Sequence, residues 1–441
     1  MVFGDRASQG ESLFLPSFVS RFSFIFVCAD FISVSRDVSC TQSCPARASL
    51  TPLAPVVYKE CAFCNHILGR RRAMATRNFH DGGKDGLEAL EPLDPDKIGS
   101  FNDLLVAMGK TAFGGRRLGE AFEVLNAMIE DADCKVVLTL SGAMTIAKMG
   151  KIISTMVDRG MVHCIISTGA LIAHGLSESI GKTHYRVNPA VSDEELFEKG
   201  YNRVYDTLEM ESNLNYVEQV VSQTLKRVNY DMPLSSEILT RELGKTLAEE
   251  YEGDGILKSA YLKKVPVYIP AFTDSEMGLD VGTWAMGRAI DKARSQVKPG
   301  DDLTVLRSIH QSLPSFNPYL DLNSYAGQIL SAKKIGIFTI GGGVPRNWAQ
   351  QVGPYIEIGN HRLGLAVKPP RFQYGVRICP EPDYWGGLSG CTYQEGISWG
   401  KFVPPADGGR FAEVLSDATV VWPLLMMGLL ERQRARDKRQ S

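Results

Sequence analysis

The stretch "KVVLTLSGAMTIAKMGKIISTMVDRGMVHCIISTGALIAHGLSESIG", residues 135–181, decides the fold. It opens with "KVVLTLSGA" (135–143), a continuous apolar run of the kind that makes a strand buried on both faces. "MTIAKMGKIISTMVDRG" (144–160) then places apolar residues at helical spacing, "MVHCIIST" (161–168) is a second buried strand, and "GALIAHGLSESIG" (169–181) a second helix. Strand, helix, strand and helix in succession form a crossover unit with parallel strands.

Outward from this unit the same alternation continues. "VPVYIPAF" (265–272), "KKIGIFTI" (333–340) and "YGVRI" (374–378) read as further strands, and "DATVVWPLLMMGLLERQ" as an apolar helix opening on Asp417. The expected fold class is α/β: a Rossmann-like, mainly parallel sheet with helices on both faces, preceded by N-terminal helices. No internal repeat or low-complexity linker interrupts residues 74–441, which are expected to form one domain.

The composition belongs to an ordinary soluble chain: 441 residues, 44% hydrophobic, 22% charged, formal net charge −2. Neither a nucleic-acid surface nor a membrane surface is expected, and the basic tail "ERQRARDKRQ" reads as a solvated helix end. Of nine cysteines, five lie in the first 64 residues. Cys40, Cys44, Cys61 and Cys64 with His66 match a zinc pattern only loosely, and no metal site is expected. The apolar run Phe22 to Val34 is too short to span a bilayer and contains Asp30. Residues 1–73 are therefore expected to be a disordered or non-native extension, with Met74 as the natural start; an N-terminal peptide upstream of Met74 in the mass of natively expressed protein would refute this. Few cysteines after Met74 and no credible export signal give a cytoplasmic expectation.

Two nucleotide motifs are set aside. "GLSESIGKT" (175–183) has five residues between its glycines where a P-loop has four, and it ends a helix where it should begin one, so it reads as a helix cap. No G-x-G-x-x-G follows the first strand. Of the seven histidines, His163 is assigned to a strand interior, while His174 and His184 flank the capped helix. None forms an H-E-x-x-H pair, and no nucleophile elbow is present.

In parallel sheets ligands bind beyond the carboxyl ends of the strands. Those ends read "TLSGAM", "STGAL", "PAFTDSE" and "TIGGGVPRN". Gly341, Gly342 and Gly343 allow backbone to approach a phosphate or ring closely, and a helix starting near Pro345 points its positive end there. The remaining anomaly is "EGISWGKF" (395–402), where Lys401 follows Ser-Trp-Gly. A lysine in a dry, aromatic setting has a lowered pKa and can form imines. Trp399 is expected to wall that site or to meet a cationic amine, with Glu395 holding a second ammonium.

"EGISWGKF", "IGGGVPRN", "PAFTDSEMG" and "SDATVVWPLL" together resemble deoxyhypusine synthase in order and spacing, from about Ser100 to near Leu430. The resemblance implies an NAD-dependent aminobutyl transferase: spermidine loses hydride to NAD, diaminopropane leaves, Lys401 carries the aminobutyl group as an imine, and an acceptor protein lysine receives it. It also implies NAD contacts at Ser141, Gly142, Ala143, Thr168, Gly169, Asp274, Gly341, Gly342, Gly343, Asp417 and Ala418, polyamine contacts at Glu395 and Trp399, and a homotetramer. Departures are specific. Asn347 stands where family enzymes carry a histidine, "DYWGGLSGCT" with Trp385 and Leu388 replaces an acidic loop, and Ala173 with His174 replaces an acidic pair. Asn347 can orient an amine but cannot act as a base. Glu276, Asp280 and Asp383 are the carboxylates available to replace the lost charge. These departures resemble a bacterial deoxyhypusine synthase-like branch. Transfer to a small amine, as in homospermidine synthases, and a non-catalytic NAD-binding scaffold are the alternatives.

Overall fold

In the computed structural model, residues 79–142, 144–228, 232–308 and 315–440 are described. Ala143, the early cysteines and the expected start at Met74 lie outside them. Helices α1 (Phe101–Gly109) and α2 (Phe113–Glu130) come first, followed by β1 (Cys134–Leu140), α3 (Gly150–Asp158), β2 (Cys164–Ser167) and α4 (Gly169–Ser179). A small segment then holds β3 (Tyr185–Arg186), α5 (Asp193–Glu198), β4 (Tyr201–Val204) and β5 (Thr207–Met210). Helices α6 (Glu211–Leu225), α7 (Ser236–Glu250) and α8 (Ile256–Lys263) lead to β6 (Val267–Tyr268). Next come α9 (Glu276–Arg294), α10 (Asp302–Ser308), α11 (Pro318–Leu330), β7 (Lys334–Ile340), α12 (Gly343–Gln350) and α13 (Val352–Leu363). The chain closes with β8 (Tyr374–Ile378), α14 (Tyr393–Ser398), β9 (Arg410–Val414) and α15 (Ala418–Gln440).

Six strands form one sheet in the order β6-β2-β1-β7-β8-β9, every pair parallel. In order of appearance within the sheet this is 3-2-1-4-5-6, the doubly wound Rossmann arrangement. Alternation along β1 explains its two buried faces. Val136, Leu138 and Leu140 join a large core with Phe122, Met156, Leu171 and Trp422. Val137 joins a smaller core with Tyr325, Ala349, Tyr393 and Phe402 on the other side.

Three expectations need correction, and two elements were not foreseen. The helix read over 144–160 is helical only from Gly150, because residues 144–148 turn and Lys148 adopts a left-handed backbone, φ 64°. His163 is not inside a strand: it is exposed just before β2, where its Nδ1 accepts from the Val136 amide at 3.1 Å. β9 was not anticipated, nor was the antiparallel ribbon β3-β5-β4. The basic tail is not simply solvated: Arg432 pairs with Glu123 and Arg436 with Glu130, which docks α15 along α2. The "GLSESIGKT" segment does end a helix, with Gly181 at φ 77°.

Candidate active site

The chain runs outward from β1 through β2 to β6, then returns to place β7 on the other side of β1. The carboxyl ends of β1 and β7 therefore flank the switch point at which doubly wound sheets bind ligands. There the Ser141 amide bonds to the Ile340 carbonyl at 3.1 Å, and the Gly342 amide donates to Ser141 Oγ at 2.9 Å. Gly341 has φ 78°, and a Cβ on it would lie 2.2 Å from Ser141 Oγ; on Gly342 it would meet Ser389 Cα at 2.5 Å. Side chains are thus excluded where these loops meet. A second cradle forms at β2, where a Cβ on Gly169 would strike Ser275 Oγ, between Asp274 and Glu276.

These loops fit a nucleotide. Neither α4 nor α12 has a side-chain cap on its N-terminus, so both leave amides free for phosphate, and the buried Thr168 Oγ1 has no partner. Asp274 is exposed. Asp417 caps α15, accepting from the Thr419 amide and hydroxyl, with Ala418 buried behind it.

Lys401 is set by its local fold. Thr392 caps α14 by accepting from the Glu395 amide, and the helix ends in a turn with Gly400 at φ 68°. The two residues that flank this turn differ in burial. Trp399 is 64% exposed and Lys401 only 8%, so within this chain Trp399 does not form the dry wall expected of it. The lysine is enclosed from another quarter. Its Nζ lies 3.4 Å from Asn347 Oδ1 on α12, and its carbonyl accepts from the Phe372 amide. Burial holds its pKa below the usual lysine value; the Arg346 guanidinium pushes the same way, while Cys391 and Glu395 oppose.

Arg346 was not singled out in the sequence. It is 2% exposed, donates from Nη1 to the Cys391 carbonyl at 2.6 Å and lies over the Tyr393 ring, yet its Nε and Nη2 have no partner. Apart from Glu395, the candidate carboxylates sit elsewhere. Glu276 and Asp280 are one turn apart on α9, each with a buried, unpartnered oxygen, and burial followed by Glu218 and Glu276 pushes Asp280 up to about 6. Asp383 and Glu395 are exposed. A groove of about 1410 Å³ runs along β9 between α2 and the 381–397 segment, but neither Lys401 nor the glycine loops line it.

Sequence spacing also gave no sign of a second buried polar centre, in which His174, His184 and Glu209 converge. Burial alone would raise the Glu209 carboxyl, but hydrogen bonds from His174, His184 and Asn213 outweigh it and hold the group down at about 2.

The family model for deoxyhypusine synthase matches residues 103–312 and 293–429. "Probable deoxyhypusine synthase 2" of Methanosarcina acetivorans is 32% identical over 344 residues, covering 77% of this chain and 89% of that one. A protein of the same name from Archaeoglobus fulgidus is 30% identical, covering 74% and 97%. The "Deoxyhypusine synthase-like protein" of Elusimicrobium minutum is 28% identical, covering 77% and 82%. With most of its length matched, including the strand ends and the lysine motif described above, the chain belongs to the deoxyhypusine synthase family.

Proposed function

We propose that this protein is an NAD-dependent aminobutyl transferase in which Lys401 carries the transferred group. The observation that carries the reading is the enclosed Lys401 amine, beside Asn347 and the buried Arg346, in a chain of this family. A lysine with a lowered pKa keeps more neutral amine near neutral pH, which imine formation requires.

NAD would supply the hydride acceptor, held by Ser141, Gly142, Ala143, Thr168, Gly169, Asp274, Gly341 to Gly343, Asp417 and Ala418. When bound, it would accept hydride from the carbon beside the secondary nitrogen of spermidine, leaving a carbon–nitrogen double bond there, and would return that hydride at the end. The neutral Lys401 amine adds to that carbon and diaminopropane departs, so the imine now joins Lys401 to the four-carbon amine. An acceptor amine displaces Lys401, and the returning hydride leaves a secondary amine. Asn347 orients the amine through its amide oxygen. Glu276 and Asp280 support recognition of an ammonium, and Glu395 and Trp399 face the polyamine once a second copy covers them. Exposed Trp385, Leu388 and Trp399 favour association of copies, and the reading carries over from the family resemblance a homotetramer and a cytoplasmic location.

The acceptor is a lysine of a partner protein. A small amine is the second reading, favoured by Asn347 and Leu388 where a base and a carboxylate were expected. The test is incubation with NAD and spermidine, a borohydride quench and peptide mass spectrometry. An aminobutyl adduct on Lys401, absent in Lys401→Ala, is expected. An unmodified Lys401 in protein shown to bind both NAD and spermidine would overturn the proposal.

A further inference from the structure

The ribbon β3-β5-β4 brings three ligand-type groups together that lie far apart in sequence. His174 comes from α4, His184 from the loop before β3, and Glu209 from β5. Glu209 is fully buried, and both histidines are nearly so. His174 Nδ1 lies 3.1 Å and His184 Nε2 2.5 Å from the same oxygen, Glu209 Oε2. All three donor atoms fall within 4.8 Å of one another.

Two neutral imidazoles and one carboxylate are a donor set that suits zinc-class ions, with metal–ligand bonds of about 2.0–2.2 Å. Supporting groups are in place. The other Glu209 oxygen accepts from Asn213 Nδ2 at 2.8 Å, and Asn213 is tied to the Thr183 carbonyl. On the far side of His184, Nδ1 lies 3.9 Å from Glu178 Oε1, too far for a hydrogen bond but near enough for that carboxylate to orient the imidazole after a small approach. One group opposes the ion. Lys148 Nζ lies 2.7 Å from His184 Nδ1 and 2.7 Å from Glu178 Oε1, so its ammonium holds the proton of His184 on Nε2. Its backbone is left-handed and its side chain is about half exposed.

We propose that His174, His184 and Glu209 form a binding site for one divalent transition-metal ion of the zinc class, with Asn213 and Glu178 as its supporting shell and Lys148 as the competing cation. The ion takes the place of the protons on His174 Nδ1 and His184 Nε2, and each neutral imidazole keeps one proton on its other ring nitrogen, Nε2 of His174 and Nδ1 of His184, the latter facing Glu178. It ties α4, whose N-terminus carries Gly169, to the ribbon. The ion is not required for the transfer chemistry.

Cobalt(II) is the probe, added to full-length protein stripped with EDTA, with metal content measured by mass spectrometry and the ligand field by visible absorption. One ion per chain is expected, with the intense bands of a low-coordinate nitrogen–oxygen site. His184→Gln should weaken binding at least a hundredfold. Lys148→Met, at a half-exposed position, should tighten it at least tenfold, which keeps the test decisive if the histidine variant fails to fold. Absence of stoichiometric cobalt in folded wild type and in Lys148→Met would overturn the proposal, as would binding unchanged in a folded His184→Gln.

Discussion

The two buried polar centres lie on opposite sides of the sheet and are built on opposite principles. Around Lys401, on the side of the smaller core, the charges are cationic and under-partnered: Arg346 has two nitrogens without an acceptor, and Lys401 has one long contact, to Asn347. Around Glu209, on the side of the larger core, one carboxylate gathers two histidines and an asparagine and leaves neither oxygen free. Burying a cation without an anion costs free energy that well-packed apolar residues would not incur. The first centre thus leaves donors without acceptors, while the second has each of its acceptors occupied.

The comparison breaks most sharply at Lys401 itself. Lys401→Arg keeps the positive charge but removes an amine able to form an imine, because a guanidinium stays protonated. Transfer activity should fall by about 10³-fold or more, with NAD affinity, measured by fluorescence, unchanged. Residual turnover above one per cent would move the covalent step to another residue.

On the other side, Glu209→Ala strands two buried histidines and should cost about 3 kcal/mol in denaturant unfolding at pH 7. The pH dependence has a defined sign. The Glu209 carboxyl is lowered from 4.5 to about 2 in the folded state, so its contribution is fully present above about pH 4.5 and is lost as pH falls toward 2. Glu209→Gln should flatten that acid limb; an unchanged limb would mean that the hydrogen bonds do not hold the charge.

Next in size is Arg346→Met. Removing the guanidinium beside Lys401 takes away a push that lowers the lysine pKa. The alkaline rise of the pH–rate profile should move to higher pH, with activity near pH 7.5 lowered and the high-pH plateau retained. A drop of equal size at every pH would assign Arg346 to packing alone.

How much of this was legible in the sequence follows from what is contiguous. Strands buried on both faces announce themselves as apolar runs, and Ser141, Gly341 to Gly343 and Lys401 lie in short segments whose meaning is local. β9 was missed because "RFAEV" places Arg410 and Glu413 in an edge strand, which needs no apolar run. The ribbon was missed because "YNRVYDTLEM" has no two-residue alternation: Tyr201, Asn202 and Arg203 are all exposed, and the buried residues of β5, Leu208 and Glu209, are adjacent. No spacing rule joins positions 174, 184 and 209, since only the ribbon brings them together. Trp399 is exposed within one copy, so the role expected of it depends on what covers that surface, which no local sequence pattern gives.

The smallest effect tests whether α9 is a cation site. Asp280, raised from 3.8 to about 6, favours folding at low pH, and that advantage is lost as pH rises through 6, when a charge must sit beside Glu276 and Glu218. Asp280→Asn should therefore stabilise the protein at pH 7.5 by roughly 1 kcal/mol, since the group is only half-buried, and change nothing below pH 4. If the charge is kept for an amine ligand, the same variant must lose affinity: spermidine should raise the wild-type melting temperature more at pH 8 than at pH 5, and the variant should lose that pH dependence. A stabilised variant with undiminished spermidine binding would make Asp280 a local strain, and leave Glu276 and Glu395 to hold the ammonium.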